Sequence, residues 1–246
     1  MKEKKRLDVL VLERHPHLTR NQVQSFIMQG LVFVDGKIAD KSGKLIDVTC
    51  EITLTIDQPK FVSRAGVKLE AALENFKIDV KDFVVLDAGI STGGFTDCLL
   101  QRGAKKVYGV DVGKGQVHEK VQADQRLVLL EETNLRYLEK LPELVDLITL
   151  DLSFISVLKV MPAVSKLLKQ AGKIIILIKP QFEADRKDIG SGGLVKGDAV
   201  HEKVIKKVQM GMLEFGFKMV GVIDSPITGA ASGNKEFLAL FEKTSV

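Results

Sequence analysis

From residue 83 onward the chain is punctuated by seven short apolar runs, and between most of them the hydrophobic positions change from strand to helix spacing. The runs are Phe83 to Leu86, Lys106 to Asp111, Val128 to Glu131, Val145 to Asp151, Lys173 to Lys179, Met219 to Asp224 and Phe237 to Phe241. Helical spacing fills the stretches from about Gly93 to Leu100, from Ser153 or Ile155 through Leu168, and from Asp198 or His201 to Phe215. Pro162 sits awkwardly in the second of these. Strands alternating with helices imply a mostly parallel sheet covered on both faces. The last two runs have only a Gly- and Ser-rich turn between them, so the expected fold is α/β, a seven-stranded sheet with an antiparallel last strand.

The first fifty or so residues follow a different plan. Leu7 to Leu12 begins a helix, Thr19 is placed to cap a second one carrying Val23, Phe26 and Ile27, and that helix stops at Gly30. Leu31 to Val34 then leads into an Asp35-Gly36 turn, with another short strand from Glu51 to Ile56. This reads as a small α+β domain over residues 1–57, a linker at 58–62 broken by Pro59, and a large domain over 63–246. The large domain opens on a helix from Arg64 to Phe76, with Ser63 as its expected cap and Ala65, Leu69, Ala72, Leu73 and Phe76 as its apolar stripe. Lys68 reads as lying off that stripe, facing solvent. The charged, glycine-rich segment Glu183 to Gly197 reads as a mobile loop near a site.

Candidate chemistry begins where the first long run ends. Asp87 stands at the strand end, followed by a turn of small residues in the pattern D-x-G-x-x-x-G-G, with Gly89, Gly93 and Gly94 able to bring backbone close to a ligand. Ser91 and Thr92 are suited to cap the next helix. Neither the dinucleotide spacing nor the phosphate-loop spacing is present, and no lysine lies in the turn. A carboxylate here repels pyrophosphate but accepts from an ammonium or hydroxyl group, which points to S-adenosylmethionine. An ordinary strand-to-helix turn is the alternative for this motif taken alone. Asp111, twenty-four residues later, ends the next strand, where doubly wound folds accept from ribose hydroxyls. Glu132, Thr133 and Asn134 follow the third strand, either lining an adenine pocket or forming a surface turn.

Composition narrows the setting. Hydrophobic residues make up 45% of the 246 and charged ones 28%, the balance of a globular protein. The longest aliphatic run, Ile174 to Ile178, is far short of a bilayer span, and the start, MKEKKRLDV, lacks an apolar signal stretch, so a cytoplasmic protein without membrane association is expected. Cys50 and Cys98 fall in different expected domains, without metal-ligand spacing, and no metal is expected. A net charge of +4 permits nucleic-acid binding without requiring it.

Two resemblances give the pattern a name. LTRNQVQSFIMQGLVFVDGK resembles the αL-type RNA-binding domain of a ribosomal small-subunit protein and of pseudouridine synthases. The likeness implies that Arg20, Asn21, Gln24 and Lys37 face RNA, with helix-start Arg and Asn reaching phosphate and ribose. SRAGVKLEAAL, LDAGISTGGFTDCLL, VYGVDVGKGQ, LDLSFIS, LIKPQFE and GNKEF together resemble the TlyA family, which joins that module to an FtsJ-like, Rossmann-like class I methyltransferase domain. The resemblance spans essentially the whole chain. It implies an S-adenosylmethionine-dependent 2′-O-methyltransferase acting on ribosomal RNA, with cytidine as the expected nucleotide and ribosomal subunits as partners. It also implies a catalytic tetrad of Lys68, Asp151, Lys179 and Glu236, a donor site formed by Asp87, Gly89, Ser91, Thr92, Gly93, Gly94, Phe95, Asp111, Asn134 and Asp151, and Arg64 among the RNA contacts.

The residue types suit that chemistry. A ribose hydroxyl is a poor nucleophile that needs a base or a cationic setting as it attacks a sulfonium methyl. Lysine serves as a base only when burial or a neighbouring cation eases proton loss, a reason to pair Lys68 with Lys179 while Asp151 and Glu236 hold the two ammonium groups. Lys179 is the expected base, and a purely positioning role is the alternative. No cysteine lies near the fourth strand for cytosine C5 transfer, and DLSF replaces the proline-rich aromatic motif of base-amine enzymes. Three readings compete with this one: an RNA-bound protein whose methyltransferase domain is silent, a membrane-active hemolysin, a name this family has carried, and a nicotinamide-dependent enzyme.

Overall fold

The structure, a computed structural model, describes residues 3–28, 30–55, 59–229 and 233–244. It forms two compact units, Met1–Pro59 and Lys60–Val246.

The smaller unit contains β1 (Lys4–Arg6), α1 (Leu7–Arg14), α2 (Arg20–Met28), β2 (Val32–Val34), β3 (Lys37–Ile38), β4 (Leu45–Asp47) and β5 (Ile52–Leu54). α2 begins where expected: the Thr19 hydroxyl accepts from the Gln22 amide while the Gln22 side chain accepts from the Thr19 amide, a reciprocal capping box. Strand β2 lies between β3 and β5, and β1 pairs with β4. β1, β3 and β4 were not expected: β1 (KKR) and β3 (KI) carry little apolar signal, and β4 (LID) only a brief one. Leu7, Leu10, Val11, Val23, Ile27 and Val32 form a core of modest size. The expected strand over 51–56 and linker over 58–62 reach residues outside those described.

The larger unit contains α3 (Ala65–Asn75), β6 (Val84–Ala88), α4 (Gly94–Gln101), β7 (Lys106–Val110), α5 (Glu119–Gln122), β8 (Leu127–Leu130), β9 (Val145–Leu150), α6 (Met161–Val164), β10 (Leu168–Ile178), α7 (Pro180–Glu183), α8 (Asp198–Glu214), β11 (Phe217–Asp224) and β12 (Phe237–Lys243). Among the described residues its sheet has seven strands in the order β11-β12-β10-β9-β6-β7-β8. β12 is antiparallel to both neighbours, while β10, β9, β6, β7 and β8 run parallel. Strands β6, β9 and β10 are central and buried on both faces, which is why their sequences are near-continuous apolar runs rather than alternating ones. Two apolar layers result, one led by Leu86, Ile148 and Ile176, the other by Val85, Leu147 and Ile175, as adjacent residues on one strand face opposite ways.

Several expectations need correction. The long helix through Leu168 is absent: a 3-10 turn over Val157–Lys159 and the single turn α6 stand there, with Pro162 in the first turn of α6 and β10 already begun at Leu168. Pro162 marks a helix start, the place where a missing N–H is harmless. Ser63 does not cap α3, since Arg64 holds the cap position without a side-chain bond and the buried Ser63 hydroxyl has no hydrogen-bond partner. Ser91 and Thr92 do not cap α4, whose cap is Gly93 in the left-handed region. Phe61, expected in the linker, is buried against α3.

Candidate active site

The site is built around the turn after β6. Gly89 has φ +86, and a Cβ there would stand 2.6 Å from the Asp151 carbonyl oxygen, so both backbone angle and space demand glycine. The Gly89 and Ile90 amides both donate to the Val110 carbonyl, at 2.8 and 3.1 Å, which ties the turn to the end of β7. In front of it opens a cavity of about 500 Å³. Gly89, Ser91, Asp111, Asn134 and Asp151 line it, together with the apolar Val112, Leu152 and Ile155.

Asp111 is fixed by two loops: one oxygen accepts from the Ser91 amide at 2.9 Å, the other from the Gly113 amide at 2.8 Å. Each oxygen keeps a further lone pair. Asn134 accepts from the Arg136 amide at 3.1 Å and starts a short 3-10 turn, so it lines the cavity as part of an ordered turn.

Asp87 is placed otherwise than the sequence suggested. It is fully buried beneath the turn and does not line the cavity. Its oxygens accept from the hydroxyls of Thr96, at 2.6 Å, and Thr149, at 2.9 Å, and Thr149 lies directly across the ladder on β9. Burial pushes its carboxyl up to about 6, against the pull of those two bonds. Thr92, Gly93, Gly94 and Phe95 also lie outside the cavity lining. Gly94 permits the close approach of α4 to the start of α3, where a Cβ would stand 2.1 Å from the Ser63 hydroxyl, and Phe95 is a core residue.

The four expected tetrad residues form two ion pairs. Lys68 and Glu236 meet at 2.5 Å, with side chains 10% and 3% exposed, so Lys68 faces inward rather than toward solvent. Lys179 and Asp151 lie 2.6 Å apart, out of line for a hydrogen bond, while the Lys179 ammonium donates to Ser153 at 3.1 Å. Strand register brings the pairs to one place. Ile178 of β10 is opposite Phe237 of β12, so Lys179 and Glu236 follow and precede the same rung on neighbouring strands, whose backbones are separated by roughly 5 Å. Asp151 immediately follows β9, the next strand over.

The FtsJ-like methyltransferase profile matches residues 61–243, the whole of this sheet and its site. The chain belongs to the FtsJ-like methyltransferase family. An S4 domain precedes the FtsJ-like unit, matching residues 5–52. Hemolysin A of Brachyspira hyodysenteriae is 42% identical over 96% of this chain and 99% of its own length. The 16S/23S rRNA (cytidine-2′-O)-methyltransferase TlyA of Mycobacterium tuberculosis is 39% identical over 96% of this chain and 89% of its own. A solved structure from Streptococcus thermophilus with a provisional hemolysin name is 42% identical, covers all of this chain and 90% of that one, and superimposes with a TM-score of 0.77.

Within the S4 domain, Asn21 and Lys37 are exposed. Arg20 is largely exposed but leans to 3.7 Å from Asp8, and Gln24 donates to Asp8 at 3.5 Å. Asp8 is a buried carboxylate that sequence reasoning missed. The Arg6 guanidinium grips it through two bonds of 2.9 and 2.8 Å and holds it down at about 2. Its signal was a lone acid inside the apolar run Leu7 to Leu12. In the FtsJ-like unit, Arg64 is exposed at the start of α3. Ser153, Phe154 and Glu183 were also passed over. Phe154 is 91% exposed, lines the cavity and pairs with Phe182 at 5.4 Å between ring centres. The segment 183–197 is anchored: Lys203 binds Asp185 and Asp188, and Asn234 bonds Val195 and Gly193.

Proposed function

We propose that this chain transfers a methyl group from S-adenosylmethionine to a ribose 2′-hydroxyl of ribosomal RNA, at a cytidine, with the S4 domain gripping the RNA. The observation that carries the reading is the pair of lysine–carboxylate contacts gathered at the ends of β9, β10 and β12, with Asp151 of one pair lining the cavity. The donor fits the residues present. A cavity of about 500 Å³ is of cofactor size. Asp111, anchored by two backbone amides, has lone pairs for ribose hydroxyls, Asn134 reaches the adenine side, and Val112, Leu152 and Ile155 give apolar walls. Bound there, the donor supplies an electrophilic methyl group.

The protein's own residues do the rest. Asp151 and Ser153 hold Lys179 at the cavity edge; once its ammonium has released a proton to solvent, the neutral Nζ takes the hydroxyl proton as the ribose oxygen bonds the methyl carbon and that carbon's bond to the donor sulfur breaks. Glu236 fixes the Lys68 ammonium on the adjoining strand end, a fixed positive charge beside the developing alkoxide. Asp87 acts from beneath, locking β6, β9 and α4 so that the turn above keeps its shape. In this reading Arg20, Asn21, Gln24, Lys37 and Arg64 contact RNA, and the protein works on ribosomal subunits in the cytoplasm.

The test is transfer of labelled methyl from S-adenosylmethionine to ribosomal RNA, read as alkali-resistant linkages at the modified ribose. In Lys179→Ala the rate should fall by about 10² to 10⁴ with donor affinity retained. An unchanged rate in that variant removes Lys179 as the base. Donor binding without transfer to any ribosomal particle would favour a silent methyltransferase domain instead. Among the described residues no helix is long and apolar enough to cross a membrane.

A further inference from the structure

Glu183 is 2% exposed, and its carboxylate forms no ion pair among the described residues. Burial pushes this carboxyl above its ordinary value, against the pull of two hydrogen bonds and of the more distant Lys207 charge. Each of its two oxygens nonetheless has a partner. One accepts from the Ser156 hydroxyl at 2.7 Å and the other from the Val157 amide at 2.7 Å, together capping the 3-10 turn Val157–Lys159. The backbone carbonyl of Glu183 is held in turn by Lys207 of α8 at 2.7 Å.

What this carboxylate joins is informative. Glu183 ends α7, the single turn that begins immediately after Lys179. Ser156 and Val157 follow the segment that starts at Asp151 and carries Ser153 and Phe154. The same two segments are thus tied twice: by Lys179 to Asp151 and Ser153 at the cavity, and by Glu183 to Ser156 and Val157 behind it. Between the ties lies Phe154, at φ +67, a left-handed conformation that a bulky side chain adopts only where its surroundings over-determine it.

We propose that Glu183 is a positioning residue for methyl transfer, its carboxylate clamping the 153–157 segment against the turn that bears Lys179. The clamp keeps Lys179, Asp151 and Ser153 in register at the cavity edge. Its part in the reaction rests on the methyltransferase reading above; the clamp itself does not.

Two measurements on the full chain test it. In Glu183→Ala, the amides of Val157 and Leu158 should exchange with solvent at least about tenfold faster, with those of β9 and β10 unchanged. Unchanged exchange at Val157 refutes the clamp, whether or not the protein methylates RNA. In steady-state transfer, Glu183→Ala should lower kcat by about 10- to 100-fold, since a shift near 1 Å at reacting groups has effects of that size. Donor Kd should rise by a smaller factor than kcat falls, because Asp111 and Asn134 lie outside the clamp and only Ile155 of the apolar wall lies within it. Glu183→Gln, which can accept from Val157 and donate to Ser156, should recover most of the rate. Ser156→Ala, which removes one tie only, should fall between them. Equal kcat in all four proteins overturns the positioning role, as does a Gln variant no better than Ala. Absence of transfer by the unaltered protein would instead refute the proposed function and leave the exchange result to decide the clamp.

Discussion

Asp87→Asn should make this protein more stable at neutral pH, although it removes a charge from the floor of the site. Asp87 is fully buried, its oxygens meet two threonine hydroxyls, and its carboxyl is pushed from 3.8 to about 6. A displacement of about two pH units corresponds to about 3 kcal/mol between the protonation states, which at pH 7.5 the fold gives up to keep the group ionised. Asparagine abolishes that cost but turns one acceptor into a donor, so one threonine hydroxyl must rotate to accept, at about 1 kcal/mol. A net gain of about 1 to 2 kcal/mol follows. The pH dependence gives a second handle. Because the folded-state value lies above the unfolded one, the favourable contribution of this group is complete below about pH 4 and is withdrawn as pH rises through 6. Between pH 7.5 and pH 5 the parent should gain about 1.4 kcal/mol from Asp87 that the variant does not. Urea unfolding of the full chain at both pH values, following the transition of the larger unit, supplies the comparison. A variant less stable than the parent at pH 7.5, or one with the same pH slope, refutes the account of Asp87 as a carboxylate held against its solvation.

Other outcomes follow from single contacts. Asp8→Asn should destabilise the S4 domain by about 2 kcal/mol at pH 7, since Arg6 holds this carboxyl at about 2, and denaturant midpoints should converge as pH falls from 4 through 2. Lys68→Met should cost about 3 to 5 kcal/mol by leaving Glu236 buried and unpaired, and adding Glu236→Gln should return much of it; thermal unfolding of the single and double variants measures this. Gly89→Ala should cost about 2 to 4 kcal/mol and abolish donor binding in calorimetry, since a Cβ would collide with the Asp151 carbonyl at a positive φ.

The sheet was legible because central parallel strands are buried on both sides and leave unbroken apolar runs, and the antiparallel ending was legible because nothing helical separates its last two strands. The stretch after Asp151 was not. Its apolar residues keep helical spacing, yet they serve two short turns, and Pro162 is a helix starter whose meaning depends on where the chain must turn next. Lys68 shows another limit. Its spacing from Ala65 and Ala72 puts it on the buried face of α3, but a lysine reads as exposed until its partner is known, and Glu236 is far away in sequence. Asp87 stands out in the sequence at the strand end, but its threonine partner does not, because the strand position of Thr149 is a matter of register, which no local pattern encodes. The residue types of the tetrad could be read from the resemblance; their arrangement as two separate ion pairs belongs to the folded sheet.

The place of β12 has a temporal consequence. It lies between β10 and β11, so β11, although made earlier, has no sheet neighbour until β12 slides in beside it. The same insertion delivers Glu236 to Lys68, which is otherwise left in the interior without a counter-charge. A growing chain therefore holds the walls of the cavity, on the segments that follow β6, β7, β8 and β9, well before Glu236 meets Lys68. In the proposed reading, competence for methyl transfer arrives in one late step, with the strand that closes the sheet.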